Sequence, residues 1–155
     1  LLQELFGCDL NEIKARNIQM KKLMIAEGLA YNERTHTYNS RLAQEVGMWA
    51  ETQMAADTIH DKFYQAYFAH GRNIGNIEVI IDILKSSGLD EEEGRAVITE
   101  GRYADGVDSD WIKSRKNNIG GVPTYTIDGQ TLRGAQPYNI LQELMHKIGA
   151  KKRHH

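Results

Sequence analysis

The chain has 155 residues, with nineteen Lys and Arg against twenty-one Asp and Glu and a formal net charge of −2. No broad field of one sign therefore steers it toward nucleic acid or an anionic membrane, and neither is expected as a partner. The length suits one domain with a sizeable core. No apolar run approaches the roughly 20 residues that span a bilayer, and the opening residues, Glu4 among them, have no basic stretch of the secretory kind, so the cytoplasm is the expected compartment. The single cysteine, Cys8, excludes an internal disulfide, a Cys-x-x-Cys pair and a cysteine-rich metal site. Leu1 enters in mid-pattern and is read as an interrupted beginning.

From residue 9 to residue 117 the chain reads as short helices. Asp9 with Glu12, Thr58 with Asp61, and Asp90 with Glu93 have the spacing at which an N-cap side chain and an N3 carboxylate satisfy each other's backbone donors. Asn76 and Asp108 or Ser109 are plainer N-cap candidates. Gly28, Gly71, Gly88 and Gly101 fall where a left-handed residue ends the preceding helix. Helical spacing makes one apolar stripe of Leu42, Val46, Trp49 and Ala50, a second of Ile59, Phe63, Ala66 and Tyr67, and a third of Val79, Ile80, Ile83 and Leu84. These faces call for a common core.

Near Gly120 the pattern changes. Val122-Pro123-Thr124-Tyr125-Thr126-Ile127 is rich in β-formers, and Asp128-Gly129 is a strong two-residue hairpin signal, so a strand, a tight turn and a second strand from Gln130 to Arg133 are predicted. Pro137 suits the first turn of a closing helix with Ile140, Leu141, Leu144, Met145 and Ile148 on its apolar side, ending at Gly149. The expected organisation is a mainly helical region, 1–117, and a closing hairpin and helix, 118–155, with a basic tail from Lys151. The stretch from Leu29 to Tyr38 is too polar for a strand. A lone hairpin is marginal in water, so the chain by itself is not expected to be a stable monomer, and the strand edge is a route to a homo-oligomer.

The segment Ile119-Gly120-Gly121-Val122-Pro123-Thr124 is the most informative. Proline at a strand entrance removes one ladder donor and fixes φ, and the glycine pair lets the chain turn sharply. Roughly 5–6 % of X–Pro bonds in folded proteins are cis, so these residues by themselves favour trans.

The run from Asn39-Ser40-Arg41-Leu42-Ala43-Gln44-Glu45 through Phe63-Tyr64-Gln65-Ala66-Tyr67-Phe68, Gly71-Arg72-Asn73-Ile74-Gly75, Gly88-Leu89-Asp90, Gly120-Gly121-Val122-Pro123-Thr124 and Ile127-Asp128-Gly129 to Gly134-Ala135-Gln136-Pro137 resembles the FrnE-like branch of the DsbA oxidoreductase family. It covers about the last three quarters of the chain. The resemblance implies an α/β thioredoxin-like fold with a helical insertion, its N-terminal β-α-β unit apparently missing here. It also implies thiol–disulfide exchange on a thiol- or disulfide-containing protein or small molecule, and a cis-proline loop at Gly121, Val122 and Pro123 that contacts substrate. In the family a dithiol sits after the first strand. Cys8, between Phe6-Gly7 and Asp9-Leu10, does not fit that motif, so no catalytic residue is assigned, and neither a cofactor nor a metal is expected.

The other chemistry-bearing residues have plainer readings. His36, His60, His70 and His146 lack metal-ligand spacing, Glu91-Glu92-Glu93 suits a helix's first turn, Trp49 and Trp111 suit a core or groove, and Arg133 suits a strand end with a cleft as the alternative. Two other readings of the whole stay open. One is a glutathione-dependent isomerase or kappa-type transferase, similar to 2-hydroxychromene-2-carboxylate isomerase, which typically has a different segment after the hairpin. The other is a redox-inactive peptide-binding module.

Overall fold

The computed structural model describes Gly7 and residues 9–34, 36–53 and 56–151; Cys8, the residues before Gly7 and the tail from residue 152 lie outside them. Among the described residues, seven α-helices and one hairpin follow in the order α1 (Leu10–Ala26), α2 (Arg41–Glu51), α3 (Ala56–Tyr64), α4 (Ile77–Ser86), α5 (Glu91–Glu100), α6 (Ala104–Lys116), β1 (Thr124–Ile127), β2 (Gln130–Arg133) and α7 (Tyr138–Lys147). Chain contacts gather into two units, Leu1–Asp108 and Ser109–His155. That division falls inside α6, one element before the change from helix to strand on which the 1–117 and 118–155 reading rests.

The helix ends follow from local chemistry. Asp9 accepts from the N–H groups of Asn11 and Glu12 while Glu12 accepts from the Asp9 N–H, a complete capping box. Asn76 caps α4 by accepting from the Glu78 and Val79 N–H groups, and Asp90 caps α5 by accepting from the Glu93 N–H. At the end of α1, Leu29 N–H reaches the Met24 carbonyl and Gly28 N–H that of Ile25, a Schellman arrangement that needs the left-handed φ of +70° found at Gly28. Asn118, with φ +55°, ends α6 by the same pair of bonds, to Arg115 from its own N–H and to Ser114 from Ile119.

Two expected starts are corrected. α3 begins by Ala56, so Thr58 lies within the helix rather than at its cap. α6 begins at Ala104, which puts Asp108 and Ser109 in its interior. The reason is visible at Asp108, whose carboxylate takes the Arg41 guanidinium and is not needed by a helix terminus.

The core of the first unit joins the three stripes. Val46, Ala50, Ile59, Ile80, Leu84 and Val97 are fully or almost fully buried together, with Trp49, Phe63 and Ile83 beside them. Gly94 is buried where a Cβ would overlap the Leu84 side chain, so α4 and α5 approach closely because that position carries no side chain. Arg41 fastens α2 to α6: it donates from Nε to the almost fully buried Glu45 at 2.7 Å and from its Nη atoms to Asp108 and the Ala104 carbonyl. These hydrogen bonds raise the Arg41 pKa further above its usual value, Asp108 contributing most.

α3 does not end at Tyr64. It widens into a π-helical turn, Gln65–Ala69, in which His70 N–H bonds the Gln65 carbonyl. The irregular stretch after α1 lies against this turn: Tyr38 meets Tyr67 edge-on, and the Arg34 guanidinium stacks over Tyr67 and Phe68 at 4.5 and 4.9 Å.

In the second unit, β1 and β2 pair antiparallel with Thr124 opposite Arg133 and Ile127 opposite Gln130. Asp128 and Gly129 both have positive φ, +47° and +72°, as a type I′ turn requires. α7 follows, with Pro137 at its N-cap and Leu144 buried. Among the described residues the sheet has these two strands, and no helix is long and apolar enough to cross a membrane.

Candidate substrate-contact site

Gly121, Val122 and Pro123 sit between the end of α6 and the start of β1. Three hydrogen bonds fix the segment. Gly134 N–H donates to the Pro123 carbonyl at 2.8 Å and so extends the β ladder one residue past Thr124. Thr124 Oγ1 donates to the Gly121 carbonyl at 2.6 Å. Arg133 Nη2 donates to the Asn118 carbonyl at 3.0 Å, which ties the far end of the hairpin to the residue that ends α6. Gln136 Nε2 in turn donates to the Arg133 carbonyl at 2.6 Å.

Within that frame Val122 stands out. It is 89 % exposed, and among the described residues no backbone hydrogen bond engages it. The Val122–Pro123 peptide bond is cis. Gly120 and Gly121 have open space where a side chain would stand, so the approach to Val122 is uncrowded from that side. The alternation of an antiparallel pair continues the surface: the Ile127–Gln130 pair flanks the two-residue turn and is hydrogen-bonded, so Ile127 and Tyr125 turn their N–H and C=O groups to β2 while Thr124 and Thr126 turn theirs away.

Arg133, read from sequence as a strand end or a cleft residue, is therefore a brace for this segment. Of the histidines, His36 stacks on Tyr38 and His60 lies 3.4 Å from Glu51. No group of three or more His, Cys, Asp or Glu among the described residues can hold a metal ion. Sequence reasoning passed over the link from Arg133 to Asn118, because nothing in a polar helix end marks its carbonyl as a partner for a side chain fifteen residues on.

This arrangement, a helical region leading through a Gly-Gly-Val-Pro segment into a hairpin and a closing helix, is that of a mostly helical thioredoxin-like fold with a small antiparallel sheet. The family described as DSBA-like thioredoxin domain matches residues 9–146, and the chain belongs to it. A search of curated proteins gave no match. Among solved structures the chain is similar to a probable DsbA oxidoreductase from Streptomyces coelicolor, at 26 % identity and a TM-score of 0.82 over 99 % of this chain and 68 % of that one. It is also similar in fold to a 2-hydroxychromene-2-carboxylate isomerase, at 16 % identity and a TM-score of 0.71 over 88 % of this chain and 67 % of that one.

Proposed function

We propose that this chain supplies the substrate-contact surface of a thiol–disulfide oxidoreductase of the FrnE-like kind, with Gly121, Val122 and Pro123 meeting an extended segment of a thiol- or disulfide-containing substrate. The observation that carries this reading is Val122: an apolar residue held almost fully in solvent on a segment pinned by three hydrogen bonds. A large exposed apolar side chain on a fixed backbone, beside a strand with backbone groups turned outward, is a surface for strand addition. Main-chain bonds would give affinity there, and Val122 would give preference for an apolar neighbour.

The chemistry served is exchange. A thiolate attacks one sulfur of the substrate disulfide, the S–S bond breaks, a mixed disulfide forms and the other sulfur leaves as thiolate. A second thiolate then attacks the mixed disulfide, which oxidises the dithiol by two electrons and leaves the substrate reduced; the reverse order oxidises the substrate. The two thiols come from outside these 155 residues, since Cys8 is single. What this chain does is hold the substrate backbone in register while sulfur exchange occurs.

The test uses a fluorescent extended peptide with its cysteine alkylated, so that binding is read without exchange. It should bind the unmodified chain and lose at least about tenfold in affinity to Val122→Glu, which puts a charge where an apolar contact is proposed. Equal binding to both proteins would refute the reading. Self-association that Val122→Glu abolishes, with no peptide binding, would instead assign the strand edge to a second copy of the chain.

A further inference from the structure

The near-zero total charge of the chain hides two opposite halves. Ser109–His155 has eight Lys and Arg against three Asp and Glu, a formal charge of +5, whereas the residues before Ser109 have eleven against eighteen, a formal charge of −7. The ion pairs follow the same division. Each one found among the described residues joins two residues of the first unit, and the second unit forms none. Its charges therefore act on solvent and on whatever binds there.

The cations of the second unit gather at one end of the substrate-contact segment. Lys113, Arg115 and Lys116 lie in the last turn of α6. All three are exposed, and none has an ion pair or side-chain hydrogen bond among the described residues. The Arg115 carbonyl takes the Asn118 N–H, and the Asn118 carbonyl takes the Arg133 guanidinium, a neutral acceptor that leaves the Arg133 charge uncompensated. A helix C-terminus favours positive side chains, but its own charge is only about half of one elementary charge, and the last turn carries three. The carboxylates of the unit stand away from the segment. Asp110 is six residues before the last residue of α6, about 9 Å of helix axis at roughly 1.5 Å per residue. Asp128 is in the turn, at the end of the hairpin remote from Pro123, and Glu143 is on α7.

We propose that the substrate segment received at Val122 is acidic: an extended peptide with Asp or Glu flanking its apolar contact. This rests on the reading of Val122 as the contact surface and adds the charge of the partner. Main-chain pairing at a strand edge is blind to charge. The cations beside it supply the selection, because they speed the approach of an acidic segment and oppose a basic one.

Three extended peptides test it, sharing one apolar core and one alkylated cysteine and flanked by Asp and Glu, by Asn and Gln, or by Lys. Each is titrated into the full chain by fluorescence anisotropy at an ionic strength of about 0.01 M, where charges are felt over about 30 Å. The acidic peptide should bind at least about fivefold more tightly than the neutral one, and the Lys peptide more weakly than either. At about 1 M, where that range falls to about 3 Å, the three affinities should converge. Lys113→Gln with Arg115→Gln and Lys116→Gln should remove most of the preference and leave the neutral peptide within about twofold of its original affinity. The same loss of charge from α1, Lys14→Gln with Lys21→Gln and Lys22→Gln, should preserve the preference. Equal affinity for the three peptides, with the neutral one still lost to Val122→Glu, would overturn this proposal and leave the Val122 reading standing. A neutral peptide whose binding Val122→Glu leaves unchanged would overturn that reading and this proposal with it. A preference that the α1 variant removes as fully would show an effect of net charge alone and overturn the proposal, and so would a single-stranded oligonucleotide that displaces the acidic peptide at lower concentration, which would assign these cations to nucleic acid.

Discussion

The Arg133 guanidinium donates to the Asn118 carbonyl at 3.0 Å, so the last residue of β2 holds the residue at which α6 ends. Since Asn118 has left-handed backbone and begins the segment that reaches Val122, this one bond sets where the segment departs. Arg133→Met keeps most of the side chain's length and removes its donors. We expect backbone amide exchange at Asn118 and Ile119, whose N–H groups bond the Arg115 and Ser114 carbonyls, to quicken by about threefold to tenfold, with global stability lowered by no more than about 1 kcal/mol because the bond is at the surface. Unchanged exchange at those amides would show that the segment is fixed without Arg133.

Gly94 and Leu84 give a prediction about packing. Alanine in place of a mid-helix glycine ordinarily stabilises by roughly 0.5–1 kcal/mol, but here the added Cβ would overlap Leu84, and overpacking typically costs about 1–3 kcal/mol. Gly94→Ala is therefore expected to be destabilising. Leu84→Ala, which empties a fully buried position, is expected to lose about 2–5 kcal/mol. The double substitution should be less destabilised than the sum of the two, because each removes the other's conflict. Urea unfolding of the three variants measures this, and strict additivity would contradict the contact.

Arg41 pairs with Glu45, the one buried carboxylate among the described residues at 4 % exposure. Removing the guanidinium alone leaves that carboxylate buried without its cation, whereas removing both leaves no charge to solvate. Arg41→Met should therefore lower the melting temperature more than Arg41→Met with Glu45→Met. Thermal unfolding followed by circular dichroism decides it, and a double variant no more stable than the single would contradict it.

Two exposed pairs give a pH dependence. Hydrogen bonds from Arg95 hold the Glu78 carboxyl below its usual pKa, and those from Arg102 do the same for Glu100. A carboxyl with a lower pKa in the folded state binds protons more readily when unfolded, so its stabilising effect is present above the ordinary value of about 4.5 and is lost as the pH falls through the lowered one. Glu78→Gln with Glu100→Gln should flatten the fall of melting temperature below about pH 4.5, and the difference should shrink in high salt because both pairs face solvent. An unchanged slope would deny the pairs any role in solution.

Much of the architecture was legible because it is written locally. The three apolar stripes meet in one core, Gly28, Gly71, Gly88 and Gly101 all take left-handed backbone, and the Asp128-Gly129 turn sits where two β-rich runs require it. The start of α6 was misplaced because the Asp108 carboxylate is spent on Arg41, a partner distant in sequence that spacing cannot reveal, and that of α3 because Thr58 and Asp61 have capping spacing but lie within a helix that already includes Ala56. The π-turn was missed because Gln65 to Ala69 contains no breaker. Tyr64, exposed and off the core stripe, was the available sign that this face is not spent on the core. At the loop, the glycine pair and the proline marked the place, while the brace from Arg133 depends on a hairpin register and a helix end together.

The measurement that most directly tests the central claim is amide chemical-shift mapping of the full chain as an extended, cysteine-alkylated peptide is added. If Gly121, Val122 and Pro123 form the substrate-contact surface, the largest shifts will fall at Gly121, Val122, Thr124 and Thr126, the amides on or beside the exposed segment and its outward edge. Shifts confined to the helical unit, or none at peptide concentrations that saturate a binding signal, would contradict it.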